Sequence, residues 1–163
     1  MKPLAFDRPR INAFGGRNNC FPVALAQDHE WATGQRAILP LSAGDPPTSA
    51  TDIILELRRR YGDKNPSGLH PSRLDLHRKG LPTAMTKTDI RQDLRRAGHG
   101  ARGFVFVDGV NGPDEPGHIF NAANAAGHLL FWDAQREIDG SVWFDKAIVT
   151  YFYRTGSGLI GWR

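Results

Sequence analysis

The chain has little of what stabilises or anchors a protein from outside its own core. Its 163 residues include one cysteine, Cys20, so no disulfide can form within it. A chain of this length can bury a sufficient core without such staples, and a lone thiol points to work in a reducing compartment. Long apolar runs are also missing. The stretch from Met1 to Arg10 has no apolar signal core, and no later run is long enough to cross a bilayer as a helix. With no repeats and no inner boundary, residues 1–163 read as a single soluble domain, one that could be excised from a longer protein carrying its delivery machinery.

Metal, cofactor and nucleic-acid signals are equally sparse. His70 and His77 could share a helix face, but two histidines without further ligands make no metal site, so neither metal nor cofactor is expected. Gly15-Gly16 lacks the rest of a phosphate loop, and Gly156-Ser157-Gly158 lacks nucleophile-elbow spacing. The formal charge is +4 and the isoelectric point about 9.6. Arg58-Arg59-Arg60 and Arg95-Arg96 read as solvated helix faces, without the aromatic-basic strands or recognition helix of a nucleic-acid binder, so no specific nucleic-acid partner is expected. An acidic protein partner, including an inhibitor, is compatible with the charge.

What is present has a clear order of periods. Ala50, Ile53, Ile54, Leu57 and Tyr61 recur at helical spacing and stop at Gly62. Ile90, Leu94 and Ala97 repeat the pattern before Gly98, behind a capping box at Thr86 to Asp89. A weaker helix spans Leu69 to Lys79, and Pro40 to Ser49 and Asp108 to Gly117 read as loops. Then the period falls to that of strands: Phe104 to Val107, a hairpin from His118 to Asp133, and Ala147 to Tyr153. Helices first and antiparallel strands later define an α+β domain.

The chemistry concentrates at three residues. Cys20 follows Asn18 and Asn19 and leads into Phe21-Pro22-Val23-Ala24-Leu25-Ala26. Asn19 is a favoured N-cap and Pro22 is tolerated in a first turn, so Cys20 is expected at the positive end of a helix, where a thiolate is favoured. If Asn124 pairs with Gly127, His118 lies opposite Asp133, Phe120 opposite Phe131 and Ala122 opposite Leu129, all on one face. Imidazole and carboxylate then meet, and Cys20, His118 and Asp133 suggest a nucleophile, a base and an orienter. The plainer reading of Cys20 is a small apolar core residue. His29, His99 and His128 read as surface or turn residues, and Trp31, Trp132, Trp143 and Trp162 as core or rim aromatics.

Asn19-Cys20 opening a helix, Gly117-His118-Ile119-Phe120-Asn121 with its second strand, and Phe131-Trp132-Asp133-Ala134-Gln135 resemble the papain-like toxin domains of bacterial polymorphic toxins and effectors, often described as glutamine deamidases. The resemblance implies a papain-like cysteine enzyme fold, with N-terminal helices packed on a C-terminal antiparallel sheet. It also implies Cys20 as nucleophile, His118 as general base and acid, and Asp133 as orienting carboxylate. Gln135 falls where such domains often carry a Gln after the acid. Papain-type enzymes place an oxyanion-hole Gln before the cysteine, whereas here the stretch reads Ala13 to Asn19. The Cys20 amide and the Asn18 or Asn19 side chain are the alternatives. The resemblance further implies a secreted bacterial toxin or effector that acts in the target-cell cytoplasm on a reactive Gln of a protein substrate, opposed by an immunity protein. The same three residues would serve a cysteine protease, an isopeptidase or a transglutaminase, and a non-catalytic binding module on the same scaffold is a further alternative.

Overall fold

The computed structural model describes residues 10–17, 19–38, 50–61, 84–110, 112, 117–156 and 158. Within them lie three α-helices, α1 (Cys20–Thr33), α2 (Ala50–Tyr61) and α3 (Lys87–Ala97). Five strands follow α3: β1 (Arg102–Asp108), β2 (His118–Ala125), β3 (His128–Asp133), β4 (Ile138–Asp139) and β5 (Val149–Gly156). A 3-10 helix, Gly140–Lys146, connects β4 towards β5. The strands form one antiparallel sheet in the order β4-β3-β2-β1-β5. The expected helix at Leu69 to Lys79, the loop at Pro40 to Ser49, and Asn18, His70, His77 and Trp162 lie outside the described residues.

Local chemistry explains the helices. Thr86 accepts from the Asp89 amide at 3.1 Å and Asp89 accepts from the Thr86 amide at 3.0 Å, the reciprocal capping box expected at the start of α3. Ile90 and Leu94 then fall on one side and are buried against the sheet. The last strand begins two residues later than expected, because Ala147 caps the 3-10 helix and Ile148 is 75% exposed.

β2 is buried along its whole length, since helices cover both faces of the sheet. Its even-numbered residues pack with α3 and the 3-10 helix in a cluster that includes Phe120, Ala122, Phe131, Ile90, Leu94 and Trp143. Across the sheet, Ile119, Phe104, Phe106 and Tyr153 pack with Cys20, Phe21 and Ala24 of α1 and with Ile53 and Leu57 of α2. Two asparagines join helix to strand. Asn121 donates to the Ala24 carbonyl at 2.9 Å and Asn124 to the Leu94 carbonyl at 2.9 Å, from opposite faces of the same strand.

The hairpin corrects the expected register. Ala125 pairs with His128 and Ala122 with Phe131, two residues away from the pairing that opens with Asn124 opposite Gly127. The loop is Ala126-Gly127, with φ of 52° and 90°. A two-residue loop of this kind needs left-handed backbone at both positions, and the observed pairing gives one of them to glycine, whereas the expected pairing would have used two alanines. Asn124 Oδ1 also accepts from the Gly127 amide at 2.8 Å. A shift of two residues leaves each side chain on its face. His118 and Asp133 therefore become diagonal rather than direct neighbours, still on the same side.

Candidate active site

The Asn121 to Ala24 hydrogen bond sets α1 alongside β2. One helical turn back from Ala24, about 6 Å along the axis, stands Cys20, the first residue of α1. Three residues back from Asn121, about 10 Å along the strand, stands His118, the first residue of β2. Two element starts thus converge at one end of the sheet. The Cys20 thiol is within hydrogen-bonding reach of the His118 ring. On the ring's other side, His118 Nε2 and Asp133 Oδ2 are 2.8 Å apart. With Nε2 directed at the carboxylate, Nδ1 is the nitrogen left to face sulfur.

The electrostatics favour a charged ring. Burial works against the imidazolium, but the Asp133 and Cys20 hydrogen bonds and their charges outweigh it and push the His118 pKa from 6.5 up to about 9. Asp133 is itself 1% exposed and fully engaged. Oδ2 accepts from His118 and from Trp143 Nε1 at 3.0 Å, and Oδ1 accepts from the Gln135 amide at 3.1 Å. Trp143 also lies against the His118 ring, 4.7 Å between centroids, and shields the His118–Asp133 bond from water. The Arg136 guanidinium stacks over the indole at 4.8 Å.

Asn19 occupies the N-cap position of α1, but its side chain makes no cap hydrogen bond. It turns into a knot of amides instead. Asn19 Nδ2 donates to Asn12 Oδ1 at 2.8 Å, and Gln135 Nε2 donates to Asn19 Oδ1 at 2.9 Å and to the Arg17 carbonyl at 3.1 Å. Asn12 Nδ2 donates to the Gly16 and Gln135 carbonyls, each at 3.0 Å. Gly16 suits this place, since a Cβ on it would stand 2.5 Å from Asn19 Nδ2 and displace that side chain from the knot. The knot joins the loop ahead of Cys20 to the turn after Asp133 and fixes the two halves of the site to each other. The first backbone N–H of α1, that of Cys20, therefore has no side-chain cap over it, and Pro22 carries no N–H at all.

Two residues of this arrangement were missed in the sequence. Trp143 was read as a core or rim aromatic, which it is, at 5% exposure, but its indole N–H also holds the carboxylate. Asn12 sits in an irregular loop where no periodic signal singles it out. His99 and His128 are exposed, as expected of surface or turn residues. Among the described residues no group of three or more His, Cys, Asp or Glu side chains is placed to hold a metal ion, and no helix is long and apolar enough to cross a membrane.

A helix-borne thiol meeting a strand-borne imidazole, backed by a carboxylate on the next strand, defines the papain-like class of α+β folds. The chain belongs to the family described as papain fold toxin 1, glutamine deamidase, whose model matches residues 18–137. No curated protein and no solved structure matches it. The matched span contains Cys20, His118, Asp133, Asn19 and Gln135, while Asn12 and Trp143 fall outside it.

Proposed function

We propose that Cys20, His118 and Asp133 form the catalytic triad of a thiol-dependent glutamine deamidase acting on a protein side chain. The observation that carries this reading is the buried His118, hydrogen-bonded to Asp133 at 2.8 Å on one side and within hydrogen-bonding reach of the Cys20 thiol on the other. In this scheme the Cys20 thiolate adds to the carboxamide carbon of a target glutamine, and the His118 imidazolium donates its proton to the nitrogen as the C–N bond breaks. Ammonia leaves and a thioester remains. His118, now neutral, takes a proton from water, whose oxygen attacks the thioester to release glutamate and restore the thiol. The Cys20 backbone N–H is the oxyanion donor best supported, being at a helix start with no cap over it. Asn19 and Gln135 serve as positioning residues, since both hold the loop and turn that flank the nucleophile. The family description supports a toxin delivered to a target cell; action in that cell's cytoplasm and restraint by an immunity protein are part of the same proposal.

The test is intact-protein and peptide mass spectrometry of acidic candidate targets incubated with the wild type and with Cys20→Ala. Conversion of one Gln to Glu, release of ammonia and an unbroken backbone are expected from the wild type. Cys20→Ala and His118→Ala should stay folded and lose turnover by at least about a thousandfold. Backbone cleavage that depends on Cys20 would replace the deamidase with a protease, and consumption of an added amine would replace it with a transglutaminase. Full activity in Cys20→Ala would eliminate nucleophilic catalysis.

A further inference from the structure

Beside the amide knot lies a cleft of about 400 Å³ lined by Asn12, Gly15, Gly16, Arg17, Gln135 and Arg136. We infer that it binds an acidic side chain of the substrate protein, carried close to the target glutamine. This rests on the deamidase reading above and adds the chemical class of substrate it selects.

The charge inventory of the cleft points one way. No acidic residue lines it, and among the described residues neither Arg17 nor Arg136 has a carboxylate partner. The neighbouring acid, Glu137, is already paired with Arg10 at 2.8 Å. The amides in the wall are committed too: Asn12 donates to two carbonyls, and Gln135 Nε2 donates to the Arg17 carbonyl and to Asn19. The side-chain donors left to meet a ligand are therefore the two guanidiniums. Arg136 lies over Trp143 and is exposed, and a guanidinium offers a carboxylate the planar, two-pronged bond it matches best. Gly15 and Gly16 contribute no side chains, and that leaves the space open.

Position supplies the link to chemistry. Arg17 stands three residues before Cys20 and Arg136 three residues after Asp133. Three residues of extended chain reach about 10 Å, so an acid seated in the cleft is within a few residues of a glutamine at Cys20.

The probe is a pair of fluorescein-labelled Gly/Ser nonapeptides with one central Gln, one peptide carrying Glu on both flanks and the other Ser. Binding is read by anisotropy on Cys20→Ala protein, where no turnover intervenes. The acidic peptide should bind about tenfold tighter, the scale of one charge-assisted pair. Arg17→Gln with Arg136→Gln should erase that preference, and Arg17→Gln alone, which leaves the Trp143 stack intact, should reduce it. Arg59→Gln with Arg60→Gln removes the same net charge from the exposed side of α2 and should leave the preference in place. Equal binding of the two peptides, or none by either, overturns the inference, as does a loss of preference in the α2 pair equal to that in the cleft pair. Ammonia release by the wild type separates the two readings. Equal release from both peptides leaves the deamidase and removes the cleft, whereas acid-selective binding without ammonia keeps the cleft and removes the deamidase.

Discussion

Two buried aspartates, one on β3 and one on α3, have opposite surroundings. Asp133 is 1% exposed and Asp93 2% exposed. Asp133 receives three N–H donors, from His118, Trp143 and Gln135. Among the described residues, Asp93 on α3 has no hydrogen bond to either oxygen and only a long approach from Arg154, at 3.8 Å. Burial accordingly pushes the Asp93 pKa up to about 6, against the pull of Arg154 and Arg96. Equal burial thus has opposite meanings. One carboxylate is built to carry its charge, and the other carries its charge at a standing cost in stability.

The largest effect that would break this contrast is expected at Asp133. Asp133→Ala should lower turnover by about two to four orders of magnitude and destabilise the fold by about 3–5 kcal/mol, as removal of a buried charge partner does. Asp133→Asn should rescue little of either, although an amide oxygen can still accept from His118. All three partners of the carboxylate are donors, so the amide NH2 must face an N–H whichever way it turns. Ammonia release and urea titration check both variants, and an Asp133→Asn protein equal to wild type in turnover and stability would contradict this account.

A second effect is in pH dependence. The folded His118 pKa, about 9, lies above the ordinary value of 6.5. Its protonation therefore stabilises the fold fully below about pH 6.5, and that contribution is lost as pH rises through about 9. The alkaline limb of turnover should sit near pH 9 and fall by about one to three units in Asp133→Asn. An unmoved limb would separate Asp133 from the imidazolium.

Trp143→Phe should act more gently. It keeps an aromatic ring against His118 but removes one N–H from Asp133, at about 1–2 kcal/mol of stability. The carboxylate becomes the stronger acceptor for the imidazolium, so the alkaline limb should stay or rise, opposite in direction to Asp133→Asn. The smallest expected effect reverses sign. Asp93→Asn should stabilise the protein at pH 8 by about 1–2 kcal/mol and leave turnover unchanged. The folded pKa near 6 exceeds the ordinary 3.8, so wild-type stability falls as pH rises between these values, and the gain should vanish below about pH 4. Destabilisation at pH 8 would show that the Arg154 approach outweighs the burial.

Local signals carried much of this architecture in readable form. The apolar spacing of α2 and the Thr86–Asp89 box of α3 depend on neighbours within a few positions, and both elements stand where that spacing puts them. The hairpin register was less legible, because apolar alternation is satisfied by every even offset. The choice fell to the turn, where Gly127 adopts a left-handed backbone more readily than alanine. Asn19 was legible in position but not in partner, since a cap bond within the helix lost to Asn12 and Gln135, residues that no local pattern connects to it. Trp143 lies in a 3-10 segment too short to show a period, so its bond to Asp133 left no trace in the sequence.

The amide knot also ties the site to the completeness of the chain. Its bonds from Asn12 to Gln135 and from Gln135 to Asn19 close loops of 123 and 116 residues. Contacts so far apart in the chain carry a closure entropy that the hairpin and the helices, built from near neighbours, do not. A nascent chain halted before Gln135, or a chain drawn out to pass a narrow channel, holds the thiol and the imidazole without the frame that brings them together. Such a chain lacks the frame of the proposed site while it is extended, and acquires it only where it is allowed to fold.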